Sequence, residues 1–246
     1  MNNIHIPPVV KNLLIINALF FVASLVFENS PVDLSRLLGV YYFDSQFFGI
    51  WQLVTYMFMH ADIGHIFSNM FGLFMFGGIL ESRWGAKRFL NFYLICGLGA
   101  LFFQMGVQAY EVYQITGSII HNPVHIDLAA NMSSVDIPGI SREAHGTLTG
   151  IYGFPMVGAS GAIFGILVAF GMLYPNTELM MIFFPIPIKA KYFIPLYIVF
   201  ELYSGVAQTP GDSVAHYAHL GGALVGFILV KLWKDKDNNR FYTYYE

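Results

Sequence analysis

Long apolar runs separated by short polar stretches dominate the pattern of this chain. Six runs are apolar enough, and roughly long enough, to cross a hydrocarbon core that takes about 20 residues. Because the first run begins after Lys11 and has no small-residue cleavage site, it is interpreted as a retained helix rather than a signal peptide. The pattern predicts one all-α membrane domain over residues 1–246, with spans near 11–28, 61–80, 89–110, 156–174, 191–206 and 216–233.

Two longer stretches between the runs do not fit a span. Residues 29–60 are amphipathic and rich in aromatic side chains, which favours an interfacial hairpin. Residues 111–155 are polar and broken by Pro and Gly, which predicts a mainly extramembrane, external loop. This loop leads directly into the fourth run, so it is either a solvated connector or a cover over an external site. Within it, Pro123 separates His121 from His125, which argues against a helical pair of metal ligands.

Composition supports the membrane assignment, and charge sets an orientation. The chain is 56% hydrophobic and 11% charged, against about 25% charged in ordinary soluble domains. Ten of the twelve Lys and Arg residues fall on one side of the predicted spans, and two, Arg36 and Arg142, on the other. Because cytoplasmic loops are rich in Lys and Arg, both termini are expected in the cytoplasm. The net charge of −3 and the lack of a basic stripe do not indicate nucleic acid binding, and the single Cys96 excludes an intramolecular disulfide.

Polar side chains inside apolar runs are costly and tend to mark function, so they are the natural candidates for a site. The predicted orientation makes the second, fourth and sixth runs enter the membrane from the same side. Polar groups near the first residues of these runs therefore share one depth, in the outer half of the bilayer. They are His60, His65 and Asn69 in or just before the second run, Ser160 in the fourth, and His216 and His219 in the sixth.

Each of these side chains also has an ordinary structural explanation. A serine in a membrane helix usually bonds back to a backbone carbonyl, and Gly161 with Gly165 forms a GxxxG packing face. A histidine near a helix end can sit at the headgroup level, and an asparagine can hold helices together. Four histidines at one depth could bind a metal, but the HExxH motif of a metalloprotease is missing. Repeated broken helices in matching halves, which favour a transporter, are not found either.

Three segments together resemble the signature of the rhomboid family of intramembrane serine proteases. They are HADIGHIFSN at 60–69, GASGAIFG at 158–165 and AHYAHLGG at 215–222, and the resemblance extends over roughly residues 11–233. It implies a six-transmembrane-helix rhomboid-like bundle. It further implies a serine and histidine pair without a third carboxylate, made of Ser160 as nucleophile and His219 as general base.

The resemblance also assigns supporting roles around this pair. His65, Asn69 and Gly158 are implied in oxyanion and substrate binding, and Phe164 is implied to pack on the His219 ring. His60 and His216 are expected to support the site. Glycines at 158, 161, 221 and 222 would let the fourth and sixth spans approach closely. One departure is Trp51-Gln52, where the family often has Trp-Arg, so the anchoring of that loop is expected to be weaker or different.

The expected function is therefore cleavage of transmembrane segments of other membrane proteins by an intramembrane serine endopeptidase. No metal or cofactor is expected, the partners are membrane protein substrates and lipid, and the expected location is a bacterial inner membrane. The alternative is a non-catalytic rhomboid-like protein that binds membrane clients, although such relatives usually lack the serine or the histidine. The sequence gives no indication of oligomeric state.

Overall fold

A computed structural model describes residues 6–28, 30–120, 123–127, 132–181, 184–207 and 214–241. His121 and part of the predicted external loop lie outside the described residues. Within them the chain is mainly helical. The helices are α1 Pro8–Phe27, α2 Leu34–Leu38, α3 Gln52–Thr55, α4 Ile63–Gly72, α5 Gly78–Trp84, α6 Ala86–Thr116, α7 Arg142–Gly153, α8 Ser160–Leu173, α9 Ala190–Ala207 and α10 His216–Phe241.

The all-α membrane class is confirmed, because each of the six predicted spans coincides with helical structure. Among the residues that the structure describes, three helical segments are long and apolar enough to cross a membrane by length and composition, namely Pro8–Phe27, Ile63–Trp84 and Ala86–Thr116. The segment Ile63–Trp84 joins α4 to α5 through a π-helical turn at Leu73–Gly77. Ser160–Leu173 is apolar but shorter, at 14 residues. The number of six spans stays a prediction.

The predicted loop 111–155 contains more regular structure than expected. Helix α6 continues to Thr116, and α7 forms where Pro and Gly had predicted a loop. The Ser141 side chain accepts the Ala144 N–H and so caps α7, whose buried residues Leu148 and Ile151 are three apart on one helix face. Within the described residues, two antiparallel strand pairs were also not predicted, β1 Val124–Asp127 with β2 Met132–Val135 and β3 Glu178–Met181 with β4 Phe184–Lys189.

Packing divides the chain into two compact units, each with its own core. The first unit comprises Met1–Ile15, Phe67–Leu101 and Ser160–Glu246, and the second Ile16–Ile66 and Phe102–Ala159. The core of the first is built from Phe164, Val168, Phe170, Ala190, Ile194 and Ala223. The core of the second is built from Tyr42, Val112, Val124, Leu148, Ile151 and Tyr152. That residues 1–246 act as one domain stays a prediction.

In the first unit, α8 and α10 contact each other through glycines. A Cβ added at Gly222 would collide with the carbonyl oxygen of Gly161, and one added at Gly226 would lie 2.7 Å from Cα of Gly165. The close approach predicted for the fourth and sixth spans is therefore present. The second glycine pair was not predicted, and Gly158 precedes α8 rather than lying in it.

In the second unit, Gln52 anchors the loop where the family often has arginine. Its side chain is 1% exposed, and Oε1 accepts the N–H groups of Gly49 at 3.1 Å and Tyr41 at 3.4 Å. Its Nε2 donates to the carbonyls of Phe47 at 3.0 Å and Leu37 at 3.3 Å. A neutral amide thus satisfies four backbone groups, so the anchoring differs from a charged one.

Candidate active site

Ser160 and His219 form a direct hydrogen bond at the first turns of two adjacent helices. Ser160 is the first residue of α8, and His219 lies in the first turn of α10. The Ser160 Oγ is 2.7 Å from Nε2 of His219. Because the glycine pairs remove side chains from the interface between α8 and α10, the two backbones come close enough for these short side chains to meet.

The His219 ring is held from its face by an aromatic side chain. Phe164, one turn after Ser160 on α8, stacks on the imidazole with ring centroids 4.4 Å apart and planes inclined by 10°. Phe164 also contacts Tyr197 of α9, with ring centroids 5.0 Å apart. This stacking restricts rotation of the His219 ring about its side-chain torsions.

A carboxylate that the sequence analysis missed lies behind His219. Glu201 of α9 is 3% exposed, and its Oε2 is 2.7 Å from Nδ1 of His219. The structure therefore differs from the expected serine and histidine pair without a third carboxylate. The missed signal was available, because Glu201 is the one acidic residue in the run 191–206 and a charge within a span is a functional candidate by default.

His216 contacts the same carboxylate oxygen. Its Nδ1 is 2.7 Å from Oε2 of Glu201, and its side chain is buried like that of His219. A Cβ added at Gly205, one turn after Glu201, would lie 3.2 Å from Cβ of His216, so α9 and α10 are close at this level. Glu201 thus accepts from two imidazoles that are three residues apart on one helix.

The donor atoms of Glu201, His216 and His219 lie within 4.8 Å of one another, so among the described residues this group could hold a metal ion. Two imidazoles and a carboxylate are a donor set that zinc uses in catalytic sites. The distances of 2.7 Å between nitrogen and oxygen are those of charge-assisted hydrogen bonds. Ligand atoms around a tetrahedral zinc with bonds of about 2.0 Å would be roughly 3.3 Å apart. The geometry therefore fits hydrogen bonding better than metal binding.

Asn69 is buried in the first unit with an unused donor. It is 4% exposed, and its Nδ2 has no hydrogen-bond partner within the part of the chain that the structure describes. Gly72 lies three residues further along α4, where an added Cβ would be 3.0 Å from Cγ2 of Ile163 in α8. Asn69 and Gly72 share a face of α4, and Ile163 follows Ser160 by three residues. The Asn69 side chain is thus on the face of α4 that meets the start of α8.

The other predicted site residues belong to the second unit and are described within it. Asp62 accepts the His65 N–H at 2.8 Å, and Nδ1 of His65 accepts the Ala61 N–H at 3.4 Å, which leaves Nε2 as the donor of a neutral ring. The His60 ring centroid lies 5.0 Å from that of His65. Burial, and then the neighbouring His65, lower the pKa of His60 to about 4, so His60 is neutral at pH 7.

Gly158 gives the backbone a conformation that other residues rarely adopt. Its φ is 129°, and its N–H donates to the carbonyl of Tyr56 at 2.9 Å. Glycine tolerates this φ because it has no Cβ. Its N–H is already bonded within the second unit, two residues before α8 begins in the sequence.

Comparison with known proteins identifies relatives of this sequence. The rhomboid domain family matches residues 48–234. RHOMBOID-like protein 12, mitochondrial, of Arabidopsis thaliana is 32% identical over 222 residues, which are 89% of this chain and 56% of that protein. Rhomboid protein 1, mitochondrial, of Saccharomyces cerevisiae is 27% identical over 177 residues, which are 72% of this chain and 40% of that protein. The chain thus spans about half the length of these two relatives.

A third relative is named as a protease. Rhomboid protease AarA of Providencia stuartii is 26% identical over 227 residues, which are 88% of this chain and 69% of that protein. The mitochondrial names of the other two relatives conflict with the expected bacterial inner membrane. The rhomboid domain and the apolar helices both indicate a membrane protein, so this chain is a membrane protein.

Proposed function

Since the chain belongs to the rhomboid family, we propose that it is an intramembrane serine endopeptidase that cleaves transmembrane segments of other membrane proteins. The observation that carries the proposal is the 2.7 Å hydrogen bond between Oγ of Ser160 and Nε2 of His219. A serine hydroxyl is a weak nucleophile until an adjacent base takes its proton, and a neutral imidazole nitrogen is suited to that task near neutral pH.

The proposed reaction proceeds by acyl transfer. As Oγ of Ser160 forms a bond with the scissile carbonyl carbon, its proton moves to Nε2 of His219 and the carbonyl electron pair moves onto oxygen. His219 then returns the proton to the amine nitrogen while the carbon–nitrogen bond breaks, which leaves an acyl-enzyme. Water repeats the two steps in the same order and releases Ser160.

The tetrahedral oxyanion needs donors near Ser160. Because α8 begins at Ser160, the N–H groups of its first turn have no partner within the helix, and they carry the positive end of the helix dipole. The buried, unused Nδ2 of Asn69 supports a role as a further donor. We extend the proposal to Nε2 of His65, whose Nδ1 accepts from the backbone, and to a role of Gly158 in shaping the substrate-binding backbone before Ser160. His60 and His216 are proposed to support the site through His65 and Glu201 respectively.

The proposed setting follows from the distribution of charges. Lys and Arg cluster on one side of the spans, which supports termini on the inner side of the membrane, the cytoplasm for a bacterial membrane and the matrix for a mitochondrial one, and a site that opens to the outer side. Bacterial and mitochondrial inner membranes both fit this orientation, and the mitochondrial names of two relatives weigh against the bacterial one. Fractionation of cells that express the tagged chain at its native level decides between these membranes.

Cleavage of a model transmembrane substrate by the purified protein in proteoliposomes tests the proposal. Ser160→Ala and His219→Ala are each expected to abolish cleavage, and the double variant is expected to be little worse than either single one, because the two residues act as a unit. A fluorophosphonate should label the wild type at Ser160 and fail to label Ser160→Ala. Ser68→Ala is a suitable control, since Ser68 lies outside the proposed machinery on α4.

Two outcomes would contradict the protease function. Cleavage by Ser160→Ala at the wild-type rate would show that another group carries the reaction. A well-folded wild type that neither cleaves a panel of transmembrane segments nor reacts with the fluorophosphonate, yet retains membrane proteins on co-purification, would favour the non-catalytic client-binding alternative.

A further inference from the structure

Glu201 is a charged group in the site. A reaction that uses only a serine and a histidine gives it no role. It is buried in α9, where an unpaired carboxylate would be costly. We propose that Glu201 is a positioning residue that fixes the tautomer and orientation of His219, so that the site works as a serine, histidine and glutamate triad. This inference rests on the proposed protease function.

The first argument is the occupancy of the two ring nitrogens of His219. Nδ1 is 2.7 Å from Oε2 of Glu201, and Nε2 is 2.7 Å from Oγ of Ser160. An ionised carboxylate only accepts hydrogen bonds, so Nδ1 must carry the proton in this contact. In a neutral ring Nε2 then has a free lone pair, which is the atom that must take the proton of Ser160. Glu201 thus selects the tautomer that the reaction needs.

The second argument concerns charge during the reaction. When Nε2 of His219 takes the proton from Ser160, the ring becomes an imidazolium and its Nδ1–H continues to donate to Glu201. The carboxylate stays ionised and balances the new positive charge in a site of low polarity, while no proton passes to it. This arrangement stabilises the transition state more than the ground state, which is the condition for a faster reaction.

The third argument is that Glu201 is itself held in place. His216 donates from Nδ1 to the same Oε2 at 2.7 Å. Two buried donors on α10 therefore fix the carboxylate. Among the described residues, His219 contacts Glu201 and Ser160 directly, while Tyr197 packs on Phe164, which stacks on the His219 ring. Glu201 is thus held by His216 as well as by His219.

The test compares Glu201→Gln and Glu201→Asp with the matched control Glu178→Gln, because Glu178 is an exposed glutamate in β3 of the same unit. Cleavage of a model transmembrane substrate is measured in proteoliposomes across pH, with kcat and KM separated. Glu201→Gln is expected to lower kcat by about a hundredfold or more with little change in KM, since its amide can donate to Nδ1 and favour the wrong tautomer. The pH profile of kcat is compared between each variant and the wild type.

The remaining variants should order themselves by charge. Glu201→Asp keeps the carboxylate on a shorter side chain and should recover part of the rate, while Glu178→Gln should match the wild type. Unchanged kcat and an unchanged pH profile in Glu201→Gln would overturn the positioning role. Activity that is lost on dialysis against a chelator and restored by Zn²⁺ would also overturn it, because Glu201 would then be a metal ligand.

A measurement without activity separates this inference from the protease function. Nitrogen NMR of the histidine-labelled wild type in detergent micelles reports which nitrogen of His219 carries the proton. A proton on Nδ1 is expected, and its shift to Nε2 in Glu201→Gln would support the positioning role even if no substrate is cut. A wild-type His219 protonated on Nε2 would overturn the proposal, and it does so without any variant that has to fold.

Discussion

Two buried glutamates in the first unit serve opposite kinds of partner. Glu81 is 2% exposed, and its Oε1 and Oε2 accept the backbone N–H groups of Val9 at 2.9 Å and Val10 at 2.7 Å. Glu201 is 3% exposed, and its Oε2 contacts Nδ1 of both His216 and His219. The two carboxylates are thus buried to a similar extent, but Glu81 accepts from two backbone N–H groups and Glu201 from two imidazoles.

The difference in partners separates stability from reactivity. Pro8 begins α1 and has no N–H, so Val9 and Val10 carry the first unpaired donors of that helix. Glu81 satisfies them and also places a negative charge at the positive end of the helix dipole. Backbone amides do not change protonation in the working pH range, so Glu81 cannot influence the protonation of its partners. Imidazoles do change it, so a carboxylate beside them acts on chemistry.

The sharpest way to break this comparison is Glu81→Ala. Each buried N–H left without an acceptor costs about 1–3 kcal/mol, so the two N–H groups together should cost about 2–6 kcal/mol of unfolding free energy. Thermal or denaturant unfolding in micelles measures the loss. The rate of fluorophosphonate labelling at Ser160, corrected for the folded fraction, should stay at the wild-type value.

Glu143→Ala is the matched control for the Glu81 variant. Glu143 is an exposed glutamate in the first turn of α7, where a carboxylate contributes only about 0.3–1 kcal/mol. A Glu81→Ala protein that is as stable as Glu143→Ala would show that the cap is unimportant. A fully folded Glu81→Ala protein with slow labelling would show that Glu81 acts on the site, and the separation of roles would fail.

A buried neutral side chain, Asn69, extends the comparison with a smaller expected effect. Its Nδ2 makes no hydrogen bond among the described residues of the resting protein, and it should donate one when an oxyanion forms. Asn69→Ala is expected to lower kcat by up to about a hundredfold while the unfolding midpoint changes little. The exposed Asn91 of α6 provides the control Asn91→Ala, which should change neither quantity. A large loss of stability with full activity in the folded fraction would assign Asn69 to helix packing instead.

The apolar runs predicted the helices because burial in lipid demands a continuous apolar segment, which a single sequence displays directly. The predicted orientation showed which spans enter the membrane from the same side. The polar side chains near the first residues of those spans were therefore expected at one depth. Glu201 was left out of that comparison because α9 lies between two of those spans in the chain. It is also near the end of α9, which is Ala207, rather than near its start. A residue near the end of an oppositely directed helix reaches the same depth.

Other misses have a similar origin in contacts between distant segments. Gly226 pairs with Gly165 because it lies one turn beyond Gly222 on the same helix face, whereas the predicted Gly221 is turned by about 100° from Gly222. The four bonds of Gln52 depend on carbonyls and amides up to 15 residues away. A motif shows which residue types are present, and the partner of each buried polar group depends on the packed fold.

The smallest expected effect tests how much of the His219 orientation comes from its face rather than from Glu201. Phe164→Leu keeps an apolar side chain beside the imidazole but removes the stacked ring at 4.4 Å. Aromatic stacking contributes about 0.5–1.5 kcal/mol, so kcat should fall about two- to tenfold. The same substitution at Phe170, further along α8 and packed on Phe76 at 4.9 Å, should lower stability without changing kcat. If Phe164→Leu slows cleavage as much as Glu201→Gln, the ring rather than the carboxylate orients His219, and the contrast between the two buried glutamates loses its chemical side.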